Sequence, residues 1–333
     1  MRMLLAGDIG ATKTRLGIFS SGDVLRKPLN EMTFANVLYP DLETIVREFL
    51  NRVKVQVDRA CFGVAGPVAG ERAALTNLPW IIDEDKLGRE LNIPSVCIIN
   101  DTLAAACALP FLSPGDLQTL NEGNPILNGN MAVIAAGTGL GEAFLTWDGR
   151  RYRGYASEGG HGDFAPNNDQ EAELFRCLHK KWGHVSYDRV CSGRGIPGIY
   201  HFLKETGRDK EPPWLAERLA AASDVTPVIV KAALDGEDPS GLCVKTLGIF
   251  VSVLGAEAGN LALKVMATGG VYVTGGLPPR ILSFLAGGGF MEAFRRKGRM
   301  SELVAHLPVH VVLDPSVALR GAACCLINDN RKR

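Results

Sequence analysis

Apolar positions follow two rhythms along the chain. Short continuous runs that end in glycine or in a polar pair alternate with stretches in which apolar residues return every three or four positions. Residues 3–6 predict a buried strand ending in Gly7-Asp8-Ile9-Gly10-Ala11-Thr12. Residues 15–19 predict a second strand directly after it, closed by the turn Ser20-Ser21-Gly22-Asp23. That connection is a hairpin, whereas dinucleotide and P-loop phosphate sites place a helix after their glycines. Asp41 reads as an N-cap before Leu42, Ile45, Val46, Phe49 and Leu50 at helical spacing. An apolar strand at 59–64, a short amphipathic helix at 83–91, a strand at 95–99 ending in Asn100-Asp101, and a helix at 102–109 stopped by Pro110 follow. Strands alternating with helices predict an α/β layer structure.

The segment 111–130 carries Pro114-Gly115 and Glu122-Gly123-Asn124-Pro125 and reads as the exit from a first domain. The same grammar then returns. A strand at 131–135, the turn Gly137-Thr138-Gly139-Leu140-Gly141 and a strand at 142–147 repeat the strand, glycine turn, strand unit seen near Gly7. Helical patterns dominate 169–266, and the longest, 241–266, places Leu247, Val251, Leu254 and Leu261 on a shared face. A strand at 270–274 ends in Gly275-Gly276, and a strand at 309–313 leads to a small-residue helix at 317–325. A length of 333 residues suits two domains.

Composition narrows the classes. Lys plus Arg and Asp plus Glu are each 36, which argues against a charge-driven nucleic-acid or membrane-surface binder; the basic Arg331-Lys332-Arg333 reads as a solvated end. A hydrophobic share of 46% supplies a sizeable core. None of the eight cysteines forms a C-x-x-C pair, so they read as reduced, buried thiols. His179 and His184 are not at helix-face spacing. The N-terminal apolar run is too short for a signal peptide, and no apolar run of transmembrane length is apparent. A cytoplasmic location is expected.

Small residues in the Gly7–Thr14 segment let backbone N–H groups approach an anion, with the Thr12 and Thr14 hydroxyls as further donors. Asp8 beside such a cradle suits Mg²⁺ held through water; the bland alternative is a tight hairpin in which Asp8 satisfies turn amides. No Walker A loop occurs. The second turn, at Gly137, Thr138 and Gly139, lacks dinucleotide spacing and precedes a strand. Gly275 and Gly276 make the third. Three glycine turns at strand ends, one with a carboxylate, point to a nucleotide site.

The order Gly7-Asp8-Ile9-Gly10-x-Thr12, Thr76-Asn77-Leu78-Pro79-Trp80, Ile99-Asn100-Asp101, Ala136 to Gly141, Glu158-Gly159-Gly160-His161-Gly162-Asp163-Phe164, Ser192-Gly193 and Thr274-Gly275-Gly276 resembles the bacterial glucokinase family. That family belongs to the hexokinase, actin and sugar-kinase superfamily, and the resemblance runs from Gly7 to about Ala322. It implies an α/β, two-domain ribonuclease-H-like (actin/hexokinase-type) fold with an interdomain cleft. The expected domains are a small one at 1–112, joined by the C-terminal helix at about 314–333, and a large one at 113–313.

By position, Asp101 resembles the catalytic base, and an ordinary Asp is already ionised at neutral pH. Its plainer role would be to cap the helix from Thr102. Asn100, Asp101, Glu158, His161 and Asp188 resemble the sugar ligands. Gly7 to Thr12, Gly137 to Gly139, Gly275 and Gly276 resemble the ATP site, with Asp8 for Mg²⁺. No cysteine cluster surrounds His161, which separates the chain from the zinc-containing branch.

Three positions depart from the family pattern: Ala11 stands for a glycine, Lys13 for an Asn, and Asp188 for a Glu. The implied reaction is ATP-dependent phosphorylation of glucose. The alternatives are a kinase for another hexose or amino sugar, polyphosphate as donor, and a non-catalytic sugar-sensing regulator. Glucose or a related hexose is the expected partner, with no nucleic acid and no membrane, and a homodimer is the candidate assembly.

Overall fold

The structure, a computed structural model, describes residues 2–22, 27–75, 78–236 and 239–328. Asp23, Thr76, Asn77 and the basic end 331–333 lie outside the described residues. The chain divides into two compact units, one of Met1–Asp116, Ala143–Ala156 and Asp314–Arg333, the other of Leu117–Glu142 and Ser157–Leu313. Ala143–Ala156 groups with the first unit, apart in sequence from the rest of it.

In the first unit, strands β1 (Met3–Ile9), β2 (Lys13–Ser20), β3 (Asn30–Ala35) and β4 (Arg59–Val64) share a sheet with Val96–Asn100. Three short strands, β5 (Val68–Ala69), β6 (Arg72–Ala74) and β7 (Ile81–Asp83), form a separate sheet, so Val96–Asn100 is β8. The larger sheet has the order β3-β2-β1-β4-β8. β1 pairs antiparallel with β2, in register Leu5↔Ile18, and parallel with β4, which pairs parallel with β8.

Both sheet faces are covered, which is why these strands read as continuous apolar runs. Leu5 and Ile9 pack with Phe49 and Val46 of helix α1 (Leu42–Val53), while Leu4 and Ala6 pack on the other face with Leu319 and Ala322 of the C-terminal helix. Asp41 caps α1 by accepting from the Thr44 N–H at 2.8 Å. Helix α2 is Glu84–Leu91, capped by Asp83, and α3 is Asp101–Ala108. Pro110 does not simply stop α3; the chain tightens into a 3₁₀ turn, Leu109–Phe111.

The second sheet joins β9 (Leu117–Asn121), β10 (Met131–Ala136), β11 (Leu140–Trp147), β12 (Tyr152–Ser157), β13 (Gly270–Thr274) and β14 (Val309–Val312) in the order β12-β11-β10-β13-β14-β9. β9 lies in the segment read from sequence as a connection. It is an edge strand paired antiparallel with β14, and its side chains are nearly all only half buried, so no alternation marks it. Helices α4 (Asp169–Trp182), α5 (Ile196–Glu205), α6 (Pro213–Ala221), α7 (Thr226–Leu234), α8 (Gly241–Val265), α9 (Leu282–Ala286), α10 (Gly289–Arg295) and α11 (Ser301–Ala305) precede the C-terminal α12 (Val317–Asn328). The 25-residue α8 is, by length and composition alone, apolar enough to cross a bilayer, a run the sequence reading did not count. In the structure its residues are core, with Leu247, Phe250, Leu254, Ala258 and Leu261 buried. A helix enclosed by protein has no need of a polar face.

Candidate active site

In the first unit, the parallel strands β1, β4 and β8 bring Asp8 level with Gly63 and Gly63 level with Ile99, one residue before Asn100. Gly63 has no side chain for a reason: a Cβ there would sit 2.9 Å from the Ala104 Cβ and 3.6 Å from the Asp101 Cα. That spacing lets the start of α3 settle between the strand ends. Sequence reasoning passed over Gly63, whose only sign is a glycine inside a strand pattern.

The cap of α3 falls on Asn100, not on Asp101. Asn100 Oδ1 accepts from the N–H groups of Thr102 (2.9 Å) and Leu103 (3.1 Å). Asp101 is the first helical residue, and its Oδ1 accepts from the Thr102 N–H at 2.8 Å. Burial, and then the negative charge of Asp8, push Asp101 up to about 6, against the Thr102 bonds that pull it down. The expectation of an untuned carboxylate is thus corrected, although the ionised form still predominates at neutral pH. Asp8 is itself raised, chiefly by burial, with Arg15 opposing.

The hairpin turn after Asp8 is closed by Gly10 N–H to Lys13 C=O at 3.0 Å. Asn36, only 1% exposed, holds it: its Nδ2 donates to Gly10 C=O at 2.9 Å and its Oδ1 accepts from the Thr14 hydroxyl at 2.8 Å. The Thr14 hydroxyl is therefore committed inward and is not a phosphate donor, while Thr12 is exposed. Ile9 sits in the core, so only its backbone faces a ligand. Gly7 is small because a Cβ would meet Phe62 Cδ1 at 2.5 Å.

In the second unit, the turn between β10 and β11 is built on Gly137 N–H to Gly139 C=O at 2.9 Å. Gly193 N–H donates to Gly137 C=O (2.8 Å), and Leu277 N–H to Ala136 C=O (3.1 Å). The turns at 137–139, 193 and 275–276 are thus brought together. Gly275 has φ +103°, and a Cβ there would lie 2.4 Å from the Ala136 carbonyl, so both conformation and space require glycine.

Glu158 and His161 bracket the 3₁₀ turn Gly159–His161, both well exposed, with Nε2 and Oε2 at 3.9 Å. Asp188 joins them through its N–H, which donates to Gly160 C=O at 2.7 Å. Asp188 Oδ1 accepts from the Leu140 N–H at 2.8 Å, so one oxygen of this candidate sugar ligand is already engaged. Sequence reasoning missed a buried acid pair behind the turn, Glu142 and Glu257, since a Glu in an apolar run does not announce its partner.

Two α/β units, one presenting strand-end carboxylates beside a helix start and the other a cluster of glycine turns, define a sugar kinase of the actin/hexokinase type. The comparisons agree on the particular branch. The glucokinase family model matches residues 5–329, and the chain belongs to that family. A glucokinase of Trichormus variabilis is 41% identical over 341 residues, covering 98% of this chain and 99% of that one. The crystal structure of a glucokinase from an Antarctic psychrotroph, 32% identical, superimposes with a TM-score of 0.85 over 99% of this chain and 100% of that chain. A ROK family glucokinase from Streptomyces griseus, solved with glucose and AMPPNP, shares the fold at 22% identity and a TM-score of 0.66, covering 96% of this chain and 98% of that chain. The chain is a hexose kinase, and the regulator considered from sequence is not favoured.

Proposed function

We propose that the chain transfers the γ-phosphoryl group of ATP to the 6-hydroxyl of glucose, with Asp101 as the base. The observation that carries this reading is Asp101 at the first turn of α3, its carboxyl tuned by burial and by Asp8. Asp101 takes the hydroxyl proton as the sugar oxygen bonds to the γ-phosphorus and the bond to the ADP leaving group breaks. Such a transfer asks mainly for alignment and charge stabilisation.

Glu158, His161, Asn100 and the free oxygen of Asp188 grip sugar hydroxyls, since carboxylates and amides match adjacent hydroxyls well. The backbone of the Gly10–Thr12 turn and the turns at Gly137–Gly139 and Gly275-Gly276 cradle the phosphates. Asp8, a carboxyl raised chiefly by burial at the edge of the Gly10 turn, suits a divalent cation bound through water. Mg²⁺ there would neutralise phosphate charge, and Asp8 is the residue that would hold it. A cytoplasmic location remains part of this reading.

The test is a coupled assay of the purified protein over a panel of hexoses and amino sugars, with ATP or polyphosphate and Mg²⁺. Glucose with ATP should give the highest kcat/KM. A higher value for another sugar, or for polyphosphate, would replace this reading.

A further inference from the structure

Behind the turn that carries Glu158 and His161 lies a polar cluster that the proposed reaction does not use. Glu142, on β11, is 1% exposed and Glu257, on α8, is 0% exposed. Their carboxyls lie within hydrogen-bond reach of each other, and Glu142 Oε1 finds no donor among the described residues. A buried carboxylate without a donor is costly, and two in contact cannot both stay ionised. One proton shared by the pair removes both costs.

Glu142 is packed directly against the turn. A Cβ on Gly159 would lie 2.0 Å from Glu142 Oε2, and a Cβ on Gly160 would lie 2.2 Å from the Leu140 carbonyl, two residues earlier on the same strand. Glu257 is fixed from its far side: Oε2 accepts from Asn260 Nδ2 at 2.8 Å, and Oε1 lies 3.4 Å from Lys264 Nζ. Asn260 Nδ2 also donates to the Tyr187 hydroxyl at 3.0 Å, and the Tyr187 N–H donates to Gly162 C=O at 3.1 Å. The cluster therefore touches the turn on both sides.

We propose that Glu142 is a positioning residue for the sugar turn: protonated and donating to Glu257, it backs Gly159 and so holds Glu158 in place, and sugar affinity falls when that proton is lost. This rests on the reading of Glu158 as a sugar ligand.

The other charged and titratable groups around the pair are Lys264 on α8, Lys297 after α10, Tyr187, Cys191 and Glu171 on α4. Lys297 is spent on Asn260 Oδ1 and Ala256 C=O, both at 2.7 Å, and Lys264 serves Glu257. Among the described residues Glu142 has no cation of its own. Burial first, and then the charge of Glu257, push Glu142 up to about 7, with Lys264 opposing. The proton is thus lost as pH climbs through about 7.

The experiment measures glucose KM and kcat for the full chain between about pH 6 and about pH 8.5, for wild type, Glu142→Gln and Glu158→Ala. The amide of Glu142→Gln can still donate to Glu257 and cannot titrate. Wild-type KM should rise severalfold across the range with kcat following separately, and Glu142→Gln should hold a low, flat KM. His161 is another titratable group of the turn, so Glu142→Gln that keeps the wild-type slope assigns the titration elsewhere and overturns the inference while the sugar reading stands. Glu158→Ala with unchanged KM overturns that reading and the inference with it.

Should Glu142→Gln fail to fold, calorimetry of glucose binding to wild type, in buffers of different ionisation enthalpy near pH 8, decides. Net proton uptake supports the inference, and none contradicts it.

Discussion

Asp188 Oδ1 accepts the Leu140 N–H at 2.8 Å, and through this bond a candidate sugar ligand braces the glycine turn proposed for phosphate. The Asp188 N–H at the same time holds Gly160 C=O of the sugar turn. The side chain, shorter than the Glu expected from the family resemblance, is thus turned partly toward backbone through Oδ1, and in the proposed role Oδ2 serves a sugar hydroxyl. Asp188→Ala should lower thermal stability and raise glucose KM by ~10-fold, the range of a hydrogen bond to a charged group. Asp188→Asn keeps an acceptor for Leu140 and should recover most of the stability. Loss of stability in Asp188→Ala with unchanged KM would reduce Asp188 to a structural brace.

Asp101 must be ionised to accept a proton, so kcat/KM for glucose should fall as pH drops through about 6. Mg²⁺ held near Asp8, as proposed, would shift that midpoint lower, and Asp8→Asn, which removes the like charge, should shift it the same way. A profile unchanged down to about pH 4 would contradict the raised value.

The same shifts bear on folding. Asp101 and Glu142 are both raised, so each contributes stability that is full below the ordinary carboxyl range and is lost as pH climbs through about 6 and about 7. Asp101→Asn should therefore be more stable than wild type near pH 8, on the order of 1 kcal/mol, and the gap should close in acid. Denaturant melts at two pH values measure this; an Asn variant less stable at pH 8 contradicts it.

Asp8→Ala should damage Mg²⁺–ATP use while glucose binding, measured by calorimetry without nucleotide, changes little. A large loss of glucose affinity with ordinary ATP kinetics would remove Asp8 from the phosphate side.

Much of this site was legible because it lies where local patterns end. The hairpin around Gly10, the cap Asp41 and the junction Asn100-Asp101 are each signalled by neighbouring residues, whereas Asp83, read from sequence as the first residue of a helix, is its cap. What escaped depends on partners distant in sequence. Asn36 follows an ordinary strand, yet it clamps the Gly10 turn and takes the hydroxyl of Thr14. Glu142 looks like the polar residue of a strand, and only the fold brings Glu257 to it. Asp101 reads from sequence as an ordinary carboxylate, because sequence carries no measure of burial or of Asp8's field.

In the proposed mechanism Asp101 takes the proton during phosphoryl transfer from ATP to glucose. It is tested most directly by Asp101→Asn, with glucose binding followed by calorimetry and turnover by a coupled assay. Binding should be largely retained, with kcat lower by on the order of 10²–10⁴-fold. A folded Asp101→Asn protein that turns over glucose and ATP at close to the wild-type rate would contradict the claim.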